Sequence, residues 1–322
     1  NVDELSDVLQ ADFEVENFLG RRQILVVTPE KLLYTLRFDS RIADYSGLII
    51  FDEGHQFDNG SRGVSYELLL TSLKLFIPTS AQTVLISAVI RNAEDVSLWL
   101  NGSESEIIFG TSLLPTYKSV AFASWTDQLG RLEFVDPKKP DSPEFYVPRV
   151  IEEFELNLKA NERKKKYLPN RSDDKSIALY LGLKLVPNGS VAIFCGRKDQ
   201  IPNICTRATE AFQRGLLMAS PSHYSSLQEL EKLHYLYSAN LGSDASATEC
   251  ARLGILTHHG NTPTGLRMSV EYALQKGLAR FVICTSTLAQ GINLPIRYLI
   301  ISDVSQGKDP IKVRDFHNLI GR

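Results

Sequence analysis

No apolar run in this sequence is long enough to span a membrane, and nothing at its start reads as a signal peptide. The expectation is a protein without a membrane partner, in the cytoplasm or, in a eukaryote, the nucleus. Cysteine is scarce and scattered: Cys195, Cys205, Cys250 and Cys284 form no C-x-x-C pair. That argues against a zinc site or a disulfide framework and for free thiols in a reducing compartment. Positive charge is not in excess either, with 35 Lys and Arg against 38 Asp and Glu and a net charge of -3. A globally basic binder is excluded, so any nucleic-acid surface must be local, built from a few Lys and Arg and from backbone N–H groups. What the chain does have is apolar content, 43% over 322 residues, enough for two cores.

The organising stretch is Leu48-Ile49-Ile50-Phe51-Asp52-Glu53-Gly54-His55. Four apolar residues after Ser46-Gly47 predict a strand buried on both faces, as in the centre of a parallel sheet. Asp52 and Glu53 then stand at its carboxyl end, where open α/β sheets bind ligands. Pointing to opposite sides, one carboxylate can hold Mg²⁺ and the other can orient an attacking water. This is the Walker B pattern of nucleotide hydrolases. Taken alone, it fits equally a strand end with two solvated acids.

Around it, strands alternate with short turns and helices, the signature of a parallel sheet covered on both faces. Gln23 to Val27 reads as a strand, and Thr28-Pro29-Glu30-Lys31 as a turn into a helix reaching Leu36. Thr28 by spacing alone is a plain helix cap. A helix is predicted from Arg62 to Ile77, with Leu68, Leu69, Leu73 and Phe76 as its apolar positions. A buried strand follows from Thr83 to Ile86 and a helix from Ala93 to Leu100. Beyond Pro115, Tyr117 to Trp125 can form a strand. Asp136 to Pro148, with four prolines, reads as a loop or linker. Arg163-Lys164-Lys165-Lys166 is expected near the end of a polar helix, as a solvated face or a phosphate-contacting patch. A second α/β block follows, with helices at Ser176 to Leu185 and Gln200 to Arg214. Its strands are Ser190 to Phe194, Leu253 to Thr257, Phe281 to Cys284 and Tyr298 to Ile301. The stretch 216–252 reads as an insertion. The expected domains are thus 1–115 and 116–322.

In chain order, Thr28-Pro29-Glu30-Lys31, Asp52-Glu53-Gly54-His55, Arg62-Gly63, Ser87-Ala88-Val89, His258-His259-Gly260, Thr285 to Pro295 and Gly321-Arg322 resemble the motifs of superfamily-two DExH-box helicases. The Ski-two-like branch, with its archaeal repair and exosome-associated members, is the nearest in pattern. The resemblance implies two RecA-like α/β domains forming a P-loop NTPase helicase core, with ATP and Mg²⁺ as cofactors. It implies that Asp52 holds Mg²⁺, Glu53 positions the hydrolytic water, and His55 and Ser87 couple the nucleotide site to domain movement. Arg322 resembles an arginine finger. Thr28, Lys31, Arg62, Arg197 and Thr285 are implied in phosphate contacts to nucleic acid, and Gly291 and Asn293 face the nucleotide or the strand.

Two departures qualify this. Val89 stands where the family usually has Thr, so a coupling hydroxyl is absent. No G-x-x-x-x-G-K-[ST] occurs, although the family places that phosphate loop before the position of Asn1, and its last motif has a second arginine after the position of Arg322. The expectation is that these residues are the central part of a longer helicase, incomplete at both ends and inactive alone. The complete protein is expected to translocate on single strands or tailed duplexes, DNA favoured over RNA. A protein partner that supplies strand separation, or a nuclease, is expected beside it. If the natural chain begins at Asn1, the alternative is an ATPase-inactive nucleic-acid-binding or scaffold module. In DNA-unwinding relatives a β-hairpin before the last motif splits base pairs; here Ser302 to Ile311 leaves few residues for one.

Overall fold

The computed structural model describes residues 24–320 apart from 39, 59, 88–89, 91, 103–105, 111–117, 127–128, 137, 140, 290–293 and 308. Contacts divide the chain into two compact units, Asn1–Pro115 and Thr116–Arg322.

In the first unit, helix α1 (Pro29–Phe38) precedes strand β1 (Leu48–Phe51), helix α2 (Gly60–Phe76), strand β2 (Gln82–Leu85) and helix α3 (Ala93–Asn101). β1 and β2 pair in parallel, Leu48 opposite Gln82 and Phe51 opposite Leu85. The expected burial of β1 on both faces is corrected. Phe51 packs with Leu36, Tyr66, Leu69, Leu70 and Leu73, with Ile49 against them, whereas Leu48 and Ile50 are 54% and 56% exposed. Successive side chains of a strand point to opposite faces, so among the described residues one face of β1, that of Ile49 and Phe51, meets the helices. The apolar stripe of α2 is shifted too: Leu70 is buried, while Leu68 and Phe76 are exposed.

The second unit begins with an antiparallel sheet of β3 (Val120–Thr126), β4 (Leu129–Val135) and β5 (Pro143–Ile151). β5 corrects the reading of 136–148 as a linker. Its prolines are tolerated because Pro143 opens the strand on the sheet's edge and Pro148 lies where the register against β4 shifts, beside Arg149 at φ 55°. Ile151 packs this sheet on Ile177, Tyr180 and Leu181. Strands β6 (Phe154–Leu156) and β7 (Lys166–Leu168) form a small ribbon. The basic run ahead of β7 is therefore not helical. Lys165 pairs with Glu155 at 2.9 Å, and Lys166 with Glu162 at 3.2 Å. Arg163 and Lys164, earlier in the run, are exposed.

Next come α4 (Asp174–Leu185), β8 (Val191–Phe194), α5 (Ile201–Gln213), α6 (Leu227–Leu241), α7 (Ser246–Arg252), β9 (Ile255–His258), α8 (Thr264–Gln275), β10 (Phe281–Cys284) and β11 (Tyr298–Ile301). A two-residue hairpin, β12 (Ser305–Gln306) and β13 (Asp309–Pro310), leads to α9 (Val313–Ile320). The main sheet runs β11-β8-β10-β9, all parallel. Alternate residues fill two cores. Val191, Ile193, Phe281 and Ile283 face α4 and α5, and Ala192, Val282 and Cys284 face α6 and α8. Full burial of each such aliphatic side chain contributes about 1.5–3 kcal/mol, which makes this sheet the fixed frame of the unit. The 216–252 stretch is built into that frame. Leu230, Leu233 and Tyr237 of α6 lie in the core, and the Tyr237 hydroxyl donates to the Thr257 carbonyl at 2.9 Å.

Candidate functional site

At the end of β1 the backbone turns sharply. Glu53 has φ 56°, a left-handed conformation uncommon outside glycine, and such strain collects at functional sites. Its N–H donates to Asp52 Oδ1 at 2.8 Å, and its Oε2 lies 2.9 Å from Nε2 of the buried His55. Gly54 is required next. A methyl at that position would stand 2.8 Å from the Leu85 side chain, and the Gly54 N–H donates to the Ile86 carbonyl at 2.8 Å. The acidic turn is thus clamped onto β2. From α2, Tyr66 donates its hydroxyl to the Asp52 carbonyl at 2.9 Å. Burial, with the charges of Asp52 and Glu53 adding to it, pushes that phenol up to about 12.

Ser87 lies two residues past β2. Its Oγ is buried and has no hydrogen-bond partner among the described residues. The Ile86 carbonyl, one residue earlier, takes the bond from the acidic turn instead. Thr28 caps α1, accepting from the Lys31 N–H at 3.4 Å, and both residues are exposed. Arg62 is exposed as well, but its Nε donates to Glu30 Oε1 at 2.9 Å. Glu30, held by its own backbone N–H and then by Arg62, has a lowered pKa.

In the second unit the motif residues gather at the carboxyl ends of adjacent strands. Cys284 is level with His258 on one side and with Phe194 on the other. Hence Thr285, His258-His259-Gly260 and Gly196-Arg197 all leave the same edge of the sheet. Thr285 is buried, its N–H donating to the His258 carbonyl at 3.2 Å. Arg197 is exposed and paired with Asp199, Nε to Oδ1 at 2.9 Å, a bond that raises its pKa. The sequence reading assigns no role to Tyr66 or Glu271 and no separate one to His258, because nothing local marks contacts made 13 or 14 residues away. Gly291, Asn293 and Arg322 lie outside the described residues, as do Ala88 and Val89.

A DEAD/DEAH box helicase model matches residues 7–96, and a helicase conserved C-terminal domain model matches residues 225–322. The chain belongs to the superfamily-two DExH-box helicases, in their Ski-two-like branch. It is 26% identical over 302 residues to the Hachiman protein HamB of Bacillus cereus, covering 93% of this chain and 26% of that one. Against the human Helicase POLQ-like it is 27% identical, over 94% of this chain and 25% of that protein. To the ATP-dependent DNA helicase Hel308 of Methanococcus vannielii it is 26% identical, over 97% and 37%. The chain therefore spans between a quarter and two-fifths of the length of these relatives.

The two parallel α/β sheets accordingly belong to a RecA-like helicase core. Its family binds ATP, typically with Mg²⁺. The residues present fit that metal. Asp52 is an exposed carboxylate at a strand end, and Mg²⁺ held chiefly by triphosphate and water needs only one or two such ligands.

Proposed function

We propose that the protein containing these two units hydrolyses ATP to move along a nucleic-acid single strand or a tailed duplex, DNA in preference to RNA. The observation that carries this reading is the turn at Asp52-Glu53, in which a strained Glu53 is held against the buried His55 at 2.9 Å. Asp52 would hold Mg²⁺, which supplies charge neutralisation at the phosphates. Glu53 would orient the attacking water, with His55 fixing its carboxylate. Arg322 would supply positive charge to the γ-phosphate, and Gly291 and Asn293 would face the nucleotide or the strand. Thr28, Lys31 and Thr285, with Arg62 and Arg197 once released from their acids, would grip phosphates, the main source of affinity for single strands. The name of the Hel308 relatives, ATP-dependent DNA helicase, supports DNA as the substrate. A protein partner would assist strand separation or supply a nuclease.

The test is steady-state ATP hydrolysis by the complete protein, with and without single-stranded DNA. Glu53→Gln is expected to keep ATP binding and lower turnover at least about a hundredfold, since it removes the water-orienting group and spares the metal ligand. Near-normal turnover in the variant would remove Glu53 from that role. If no hydrolysis occurs in the wild type, the protein is a binding or scaffold module.

A further inference from the structure

Four side chains form a line from α8 to the end of β10. Glu271 Oε1 is 2.6 Å from His258 Nε2, His258 Nδ1 is 3.3 Å from Thr287 Oγ1, and Thr287 Oγ1 is 3.2 Å from Thr285 Oγ1. His258 is 1% exposed, so water does not interrupt the line at its centre. Among the described residues, the other charged or titratable groups around it are Arg267, 3.9 Å from the same Glu271 oxygen, and His259, next in the chain, which itself feels the charge of Lys198.

Counting hydrogens gives the line a direction. A carboxylate only accepts, so Nε2 of His258 carries a hydrogen, and in the neutral ring Nδ1 is then an acceptor. Thr287 must donate its single hydroxyl hydrogen to Nδ1, and its oxygen can then only accept from Thr285. Both hydrogens are committed inward. A phosphate oxygen, itself an acceptor, could take the Thr285 hydrogen only by breaking the bond to Thr287. With a second proton on His258 the direction reverses: Nδ1–H donates to Thr287, Thr287 donates to Thr285, and the Thr285 hydrogen is free to point outward.

We propose that His258 and Glu271 are positioning residues for a phosphate contact at Thr285, setting which way its hydroxyl hydrogen points. This rests on the nucleic-acid reading of Thr285 above. Burial lowers the pKa of His258 and the bond to Glu271 opposes that, so the inward-pointing state is the resting one. Bound phosphate and the extra proton favour each other. Affinity is therefore highest at low pH and falls as pH rises through the His258 value in the complex.

The measurement is fluorescence anisotropy of a dye-labelled single-stranded oligothymidylate with the complete protein, from about pH 8 down to about pH 5, below the lowered value of the free protein, at fixed salt. Wild type is expected to tighten on the order of tenfold, the worth of one hydrogen bond to a charged acceptor. His258→Asn, which cannot titrate, should flatten that slope. Glu271→Gln should also flatten it and raise affinity at the high-pH end, because an amide can donate to Nε2 and release Nδ1–H without a second proton. A mere change of charge at Glu271 would shift affinity equally at every pH. Glu271 lies at the rim of this buried line, 15% exposed, so its variant stays informative if the buried histidine variant fails to fold. Thr285→Val separates the two claims. Unchanged binding by that variant at every pH overturns the phosphate reading and this inference with it. Weakened binding by Thr285→Val together with a full wild-type slope in Glu271→Gln overturns the inference alone.

Discussion

Tyr66 of α2 donates its hydroxyl to the main-chain carbonyl of Asp52 at 2.9 Å, so the helix holds the acidic turn by its backbone and not through either carboxylate. Tyr66 is 3% exposed, and a phenylalanine ring fits the same space. Tyr66→Phe should cost about 1 kcal/mol of stability, the usual net worth of one such bond. It should lower ATP turnover in the complete protein more than it weakens ATP binding, since a displaced turn misplaces Glu53 first. Thermal unfolding and a paired binding and turnover measurement check this. Unchanged turnover would make the bond purely structural.

The Glu30–Arg62 pair gives a second expectation, about nucleic acid. Both side chains are about half exposed, which limits the pair's own contribution to stability. Glu30→Gln should therefore leave stability nearly unchanged while freeing Arg62 for phosphate. Single-strand affinity should rise, and the slope of log affinity against log salt should steepen by about 0.7, the value for one further phosphate contact on a single strand. An unchanged slope would place Arg62 away from the strand.

Arg214 links the stability of the second unit to pH through two carboxyls. It is 3% exposed and holds Glu162 at 2.5 and 2.7 Å and Glu210 at 2.6 Å, tying the turn before β7 to the end of α5. The bond to Arg214 keeps Glu162 far below its ordinary value of 4.5 and lowers Glu210 as well. Carboxyls depressed in the folded state contribute stability that is complete above their unfolded values and lost as pH falls through the folded ones. The unfolding midpoint should hold at neutral pH and drop steeply in acid. Arg214→Met should lower the neutral midpoint and flatten its acid limb, and an acid limb unchanged by that substitution would assign the loss to other carboxyls.

Much of this architecture was readable from local pattern. The apolar runs at Leu48 and Val191 mark strands because a run bounded by turn residues has few other solutions. Asp52, Thr285 and His258 fall at strand ends because parallel strands in register bring their carboxyl ends level. β5 was hidden, since its prolines read as a linker, and only the partner strand shows that they occupy an edge and a bulge. The basic run at Arg163 was misread as helical because charge density carries no backbone signal. The line from Glu271 to Thr285 was invisible for another reason: it joins two strands and a helix through side chains whose order in sequence says nothing of their approach.

The hairpin of β12 and β13 carries the last expectation, about strand separation. It has two residues per arm, with Gly307 at φ 70° making the turn, and ribbons this short are marginal without support. Support comes from the loop after β8. The Gly307 N–H donates to the Gly196 carbonyl at 3.0 Å, and Gln200 Nε2 donates to Asp303 at 3.3 Å. Gly196 is required there, because a methyl in its place would overlap the Ser305 hydroxyl and carbonyl. A small braced hairpin can meet a duplex end, yet it offers little surface to keep strands apart, and each base-pair step costs about 1.4 kcal/mol of stacking. The complete protein should therefore displace short duplexes and bound proteins but lose efficiency steeply as duplex length grows. Gly196→Ala should dislodge the hairpin, abolishing short-duplex displacement while DNA-stimulated ATP hydrolysis continues. Strand displacement on tailed duplexes of increasing length, measured beside hydrolysis, tests both parts. Efficient unwinding of long duplexes without a partner would refute the first, and unimpaired displacement by Gly196→Ala would show that strand separation does not depend on this turn.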